Sequence, residues 1–325
     1  LSVLLAIHYD TVYPLGDTPP RVELAEYRNT LRGPGVADAK GGIAVLLGAL
    51  EAAMHAGAGE TLSWEVLLNA DEELGSPGSA SLLTEAARRH DLGLVFEPAL
   101  DEAGTLASSR KGSGNFHVVI HGKAAHAGRN PADGRNAVVA AAELATTLMS
   151  LNDRGQDVTV NVAAIHGGEA FNVVPDVAVL RVNVRAAHDE GGTWVVGQLT
   201  AAVEAINHRG GYSAALQGGI HCPPKPLDHA TQRLLAHVAT CGHDLGLPIT
   251  ARPTGGVCDG NKLAAAGLPT IDTLGVRGGG IHSPDEYLVV DSLAERASLV
   301  ALLLSRLADG SLAWPRRVKE PDACS

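Results

Sequence analysis

The sequence predicts an α/β protein of two domains, one inserted into the other. Three observations carry this reading. Buried-looking apolar runs alternate with helical repeats at both ends of the chain, as in a parallel α/β layer. The middle follows a different order: strand, helix, strand, strand, helix, strand. The 325 residues suit about two domains at roughly 150 residues each. The expected boundaries are 1–111 for the first part of one domain, 112–218 for the insertion and 219–325 for the return.

The opening run SVLLAI (Ser2 to Ile7) reads as a buried strand ending at His8. GGIAVLLGALEAAMHAG (Gly41 to Gly57) spaces its apolar residues as a helix closed by glycine. TLSWEVLLN reads as a strand, SPGSASLLTEAARRH as a capped helix and LGLVFE as a further buried strand, so parallel pairing is expected. From about Gly112 the elements are a strand (Gly114 to His121), a helix (Asp133 to Leu151), strands at Asp157 to His166 and Val177 to Ala187, a helix (Gly191 to Asn207) and a strand (Gly211 to Gln217). That βαββαβ order is the ferredoxin-like motif, with both helices on one face of an antiparallel sheet. After the proline-rich break HCPPKP come a helix from Asp228, a short strand LPTIDTL and a final amphipathic helix SLAERASLVALLLSRLA.

Composition narrows the function. The chain carries 25 Lys+Arg against 36 Asp+Glu, a formal charge of −11, opposite in sign to what a phosphate-tracking surface needs, so no nucleic-acid partner is expected. No apolar run approaches the ~18 residues of a membrane span, so no membrane partner is expected either. Cys222, Cys241, Cys258 and Cys324 are scattered without CxxC spacing, which disfavours a disulfide scaffold or a cysteine zinc site. The chain opens on LSVLLAI, without Met or a basic leader, and is read as processed or as a fragment; its compartment is left open, with the cytoplasm favoured.

The informative residues are acids and histidines at the ends of apparent strands: His8 and Asp10 in HYDTV, Asp38 in GPGVADAKGG, Glu72 and Glu73 in NADEELGS, and Glu97 in VFEP. Loops beyond the carboxyl ends of parallel strands converge on one crevice, where such side chains can meet, and His282 in GGGIHSPDEY can join them. Any one of these acids alone reads as an N-cap or a surface charge. Packed together without cations they would push one another toward protonation, and two imidazoles with several carboxylates suit a divalent metal such as zinc. HExxH, GxSxG and Walker loops are absent, and GPGVAD is only a near miss for GxGxxG without the strand and helix that a dehydrogenase needs.

HYDTV, GPGVADAKGG, NADEELGS, FEP, GKAAHAG, the Asn-Val-Val-Pro run and GGGIHSPDEY, in that order, resemble the successive motifs of the di-zinc exopeptidase and deacylase family. That family contains glutamate carboxypeptidase, acetylornithine deacetylase, succinyl-diaminopimelate desuccinylase and aminoacylase. The resemblance covers nearly the whole chain and implies a zinc-exopeptidase-like catalytic domain whose ferredoxin-like insertion serves as a lid and dimerisation domain.

By matching position it implies two Zn2+ per chain, with Co2+ or Mn2+ as substitutes. Asp38 would bridge them, His8 and Glu97 would complete one site, and Glu73 and His282 the other. Asp10 would orient His8, since a ligating imidazole is held in one tautomer when its other N–H meets a carboxylate. Glu72 would be the general base. His126 would stabilise the oxyanion, often in the partner subunit's site; Asn172 and Arg185 would contact substrate, the arginine suiting a carboxylate. The family usually has a cis peptide after the bridging Asp, here Asp38 to Ala39.

The chain departs from the family pattern in three places. The usual residues before the first strand are absent, Ile7 stands where Gly is common, and TGGVCDGN has Val257 and Cys258 in a loop usually written GGG followed by Ser or Thr and Asp. Valine there removes the backbone freedom of glycine. The expected function is zinc-dependent cleavage of an amide next to a free carboxylate, first as a glutamate carboxypeptidase-like metallopeptidase, second as an N-acyl amino acid deacylase. The reading from another class is an inactive dimeric binding protein.

Overall fold

The first strand, β1 (Ser2–His8), is buried on both faces, which fits its unbroken apolar run. The computed structural model describes residues 1–14, 21–25, 29–154 and 157–316; Cys324 lies outside them. After β1 come β2 (Glu23–Ala25), β3 (Thr30–Arg32), α1 (Gly42–His55), β4 (Ser63–Asn69), α2 (Ala80–Arg89), β5 (Leu92–Val95) and β6 (Leu106–Arg110). A second compact unit, 111–224, then interrupts the first, which resumes at 225.

The second unit comprises β7 (Gly112–His121), α3 (Ala137–Met149), β8 (Val158–Gly167), β9 (Val177–Ala186), α4 (Asp189–Asn207) and β10 (Ser213–Cys222). Its strands form one antiparallel sheet in the order β10-β7-β9-β8. Phe116, Val118 and Ile120 of β7 and Leu180, Val182 and Val184 share one core with α3 and α4. Asn136 caps α3 by accepting from Val139 N, a local signal of the helix start.

The first unit resumes with α5 (His229–Asp244), β11 (Ala251–Thr254), α6 (Asp259–Ala265), β12 (Thr270–Ile271), β13 (Gly278–Gly279), β14 (Tyr287–Val289) and α7 (Asp291–Ala308). Its main sheet runs β12-β5-β1-β4, all parallel. Alternation along β1 feeds two cores: Val3, Leu5 and Ile7 pack with α1, α5 and α7, while Leu4 and Ala6 pack with Leu83 of α2 and Leu263 of α6. A small antiparallel sheet, β13-β14-β3-β2, and a parallel pair, β11-β6, complete the unit.

The helix expected from Asp133 starts at Ala137 and the strand expected at Gly211 to Gln217 runs Ser213–Cys222; two further differences have a visible cause. The helix expected from Ser76 starts at Ala80, because Asp71 captures the N–H groups of Gly78 (2.6 Å) and Ser79 (3.1 Å) and holds the chain in a turn. Of LPTIDTL only Thr270–Ile271 is strand; Thr273 takes a positive φ of 63° and its hydroxyl accepts from Ala107 N at 2.8 Å. Among the described residues no helix is long and apolar enough to cross a membrane.

Candidate metal centre

The parallel sheet brings the carboxyl ends of β1, β4 and β5 to one edge. His8 closes β1 and pairs in register with Asn69, the last residue of β4, just before the turn holding Glu72 and Glu73. Glu97 follows β5 by two residues. Asp38 arrives from a tight turn, Val36–Gly41, whose Asp38–Ala39 peptide is cis. Gly42 is needed where α1 begins, since a Cβ there would lie 2.1 Å from the Phe96 carbonyl oxygen beside Glu97.

These side chains meet. His8 Nε2 lies 3.0 Å from Asp38 Oδ1 and 3.7 Å from Glu97 Oε2. His282, from the turn after β13, places Nε2 3.2 Å from both Asp38 Oδ2 and Glu73 Oε2. Asp38 thus offers one oxygen to each histidine. His8, Asp38 and Glu73 present ligand atoms all within 4.8 Å of one another. Asp10 supports this arrangement twice: its backbone carbonyl is hydrogen-bonded to His8 Nδ1 at 3.2 Å, and its carboxylate, also 3.2 Å from Nδ1, accepts the backbone N–H groups of Glu72 (3.3 Å) and Glu73 (3.0 Å).

The electrostatics fit a cation. Burial pushes the Glu72 carboxyl up to about 9, with Glu97 adding to the rise. Burial also raises Glu73, helped by Asp38, and raises Glu97 despite the hydrogen bond from His8. Burial alone would lower the His8 pKa, but Asp38 and Glu97 push it up to about 12. Glu73 Oε1 is buried without a partner. A buried carboxylate oxygen without a donor, among acids that resist ionisation, is the arrangement that divalent cations resolve. The donor set of imidazole and carboxylate suits zinc and its neighbours.

His126, Asn172 and Arg185 belong to the second unit. His126 and Asn172 are neighbours there: Ala127 N donates to the Asn172 carbonyl at 2.9 Å, and both side chains lie on exposed loops. His126 Nδ1 accepts from Gly128 N (3.1 Å) and Arg129 N (3.3 Å), which leaves the proton on Nε2. Arg185, half-buried on β9, donates from Nε to Asn183 Oδ1 at 3.1 Å, and burial lowers its pKa.

Sequence reasoning missed Glu286, four residues after His282 and 1% exposed. Its Oε1 accepts from Ala37 N and Asp38 N, and its Oε2 from Gly35 N, all at 2.9 Å. Tyr13 OH shares its one proton between Oε2 at 2.8 Å and the Ser283 carbonyl at 2.7 Å. The Asp38 turn is therefore held by the segment that carries His282. The signal was the E of HSPDEY, with no chemistry of its own to mark it. Neither Val257 nor Cys258 takes a positive φ, and Cys258 is buried as the N-cap of α6.

Fold and site together define a metal-dependent hydrolase with its centre on a parallel sheet. The chain belongs to the family described as Peptidase family M20/M25/M40, whose model matches residues 4–306. It is 34% identical over 323 residues to carboxypeptidase G2 of Pseudomonas sp. (strain RS-16), covering 95% of this chain and 74% of that protein. It is 27% identical over 318 residues to succinyl-diaminopimelate desuccinylase of Alkalilimnicola ehrlichii, covering 92% of this chain and 82% of that one. A Bacillus subtilis protein titled a dinuclear metal binding peptidase from the M20 family shares the fold at a TM-score of 0.69, with 17% identity over 95% of this chain and 82% of that one.

Proposed function

We propose that this hydrolase removes a C-terminal residue by cleaving an amide beside a free carboxylate, using two zinc ions. The observation that supports the reading most is Asp38, whose two oxygens face His8 and His282 separately. In this assignment Asp38 would serve both ions, His8 and Glu97 would hold one, and Glu73 and His282 would hold the other. Bound there, such a metal pair polarises the scissile carbonyl and lowers the pKa of water.

The chain's own groups do the rest. Glu72, held ionised by the neighbouring cations, would take a proton from the attacking water and deliver it to the leaving nitrogen. Asp10 fixes the His8 ring and the Glu72–Glu73 turn at once. The second unit acts as a ferredoxin-like lid and, in a homodimer, as the dimer surface. From it His126 donates Nε2–H to the developing oxyanion, Arg185 binds the substrate carboxylate and Asn172 a neighbouring polar group. The likeness to carboxypeptidase G2 supports the carboxypeptidase assignment; the likeness to a desuccinylase keeps N-deacylation as the second reading.

The test is metal content per chain together with turnover of acyl-glutamates, acetyl-amino acids and dipeptides, before and after chelation. About two equivalents of zinc and chelator-sensitive release of a C-terminal residue are expected. Preferential hydrolysis of acetyl-amino acids would move the assignment to a deacylase. A chelator-insensitive rate would overturn the metal assignment. Monomer by light scattering would remove the dimer.

A further inference from the structure

The Glu72 carboxylate accepts no hydrogen bond among the described residues, so its direction is set by the backbone that carries it. That backbone is a short turn between Asn69, the last residue of β4, and Ser76. Asp10 holds the middle of the turn through the N–H groups of Glu72 and Glu73. A different carboxylate, Asp259 at the start of α6, holds its two ends.

Asp259 is 3% exposed, and Asn69 Nδ2 donates to its Oδ2 at 2.7 Å. Its Oδ1 accepts from the Ser76 hydroxyl and from Lys262 Nζ, the lysine at 2.9 Å. Lys262 Nζ also donates to Ser76 Oγ at 3.2 Å. Asn69 Nδ2 makes a second bond to Ser79 Oγ at 3.1 Å, which adds the start of α2 to the same network. One carboxylate therefore joins both ends of the turn, and Lys262 offsets its charge.

Ser76 is fully buried and takes a φ of +55°, a conformation that glycine adopts freely and other residues adopt at a cost. What serine supplies there and glycine cannot is the hydroxyl, which bonds Asp259 and Lys262 together.

We propose that Asp259 is a positioning residue for the reaction: through Asn69 and Ser76 it fixes the turn so that Glu72 faces the attacking water. This role rests on Glu72 being the general base. Glu73, as a ligand, would be held by its metal, whereas Glu72 has only the turn to direct it. A misplacement of about 1 Å in such a group can cost about 10²-fold in rate.

The experiment measures kcat, KM and metal content of the metal-loaded protein on an acyl-glutamate, for Asp259→Asn and Ser76→Gly, each alone and in the Glu72→Gln background. Glycine takes the φ of Ser76 without strain, so Ser76→Gly should fold and lose only the hydroxyl tie. It covers the case in which Asp259→Asn, which strips Lys262 of its counter-charge, does not fold. In both variants kcat should fall about 10- to 100-fold, with KM and metal content near the wild-type values. In the Glu72→Gln background neither change should lower the residual rate further, because the group they direct is gone.

An unchanged kcat in either folded variant would overturn the proposal. So would a rise in KM or a loss of metal in place of the fall in kcat, or an equal fold-loss with and without Glu72, which is what general destabilisation produces. If Glu72→Gln itself leaves kcat at the wild-type value, the general-base reading fails and this role falls with it; if only the Asp259 and Ser76 variants are silent, this role falls alone.

Discussion

Asp272 and the acids around Asp38 are buried in the same unit, yet they titrate in opposite directions. Burial works to raise the Asp272 pKa, but Arg110 and Lys225 outweigh it and hold the carboxyl below its ordinary value. Arg110 Nη2 donates to Oδ1 at 2.9 Å, and Lys225 Nζ stands 3.3 Å from Oδ2 as an ion pair without hydrogen-bond geometry. Lys225 also reaches the Thr270 carbonyl at 3.3 Å. Glu72, Glu73 and Glu97 have no lysine or arginine ion pair among the described residues, and all three are raised. The difference teaches which acids the fold satisfies by itself and which it holds ready for cations from outside.

The largest effect should come from Glu72. Glu72→Gln keeps the shape of the side chain but cannot accept a proton, so kcat should fall by about 10²- to 10⁴-fold while metal content stays near the wild-type value. Turnover and metal analysis on the same preparation check this. A variant that loses its metal in step with its activity would make Glu72 a ligand and blur the division between the two clusters.

Next in size is the self-satisfied cluster. Asp272→Asn leaves Arg110 and Lys225 buried without their anion and should cost about 3–5 kcal/mol in urea denaturation. Glu97→Gln, made in chelator-treated protein, should cost far less, because that carboxylate already resists ionisation. Equal losses in the two variants would break the comparison.

The pH dependence sharpens it further. Glu72 has a folded pKa pushed up to about 9 from an ordinary 4.5, and His8 one pushed up to about 12 from 6.5. Between the unfolded and folded values the native state binds more protons than the unfolded one, so stability falls as pH rises. Both groups act in the same direction between about pH 6.5 and 9. Chelator-treated protein should lose stability there at up to about 2.7 kcal/mol per pH unit, about 1.4 from each group. Metal-loaded protein should show a flatter profile. A chelated protein that gains stability across this window would contradict the picture of uncompensated acids.

Much of this was legible in the chain because chemistry at strand ends leaves a local mark. His8, Glu72, Glu73 and Glu97 each follow an apolar run, and the parallel sheet then carries them to one edge. The compensated acid left no such mark: Asp272 is 162 positions from Arg110 and 47 from Lys225, and only the fold makes them neighbours. The small sheet β13-β14-β3-β2 was also unreadable, since strands of two or three residues have no period to detect. The late start of α2 reflects competition by the Asp71 side chain for backbone donors, which hydrophobic spacing does not record.

Glu286 is a third kind of buried acid, and it gives the smallest effect. It is satisfied neither by a cation nor by a metal but by three backbone N–H groups and the Tyr13 hydroxyl, shared two to each oxygen. Burial, and then Glu286 itself, push the Tyr13 pKa up to about 12, so the phenol stays a donor. Glu286→Gln keeps one oxygen and turns an NH2 group toward two donors. The Tyr13 hydroxyl can rotate away from that clash, but a backbone N–H cannot. The NH2 should therefore face Tyr13 and Gly35, and the remaining oxygen should keep Ala37 and Asp38. The Asp38 turn would loosen at one end only, and metal affinity should fall about tenfold in a chelator competition, at the low end for loss of a supporting hydrogen bond around a metal ligand. Tyr13→Phe in the Glu286→Gln background leaves the Gly35 clash in place and removes the hydroxyl oxygen that accepts from the NH2, so it should recover none of that loss; recovery would mean that the hydroxyl had not turned away.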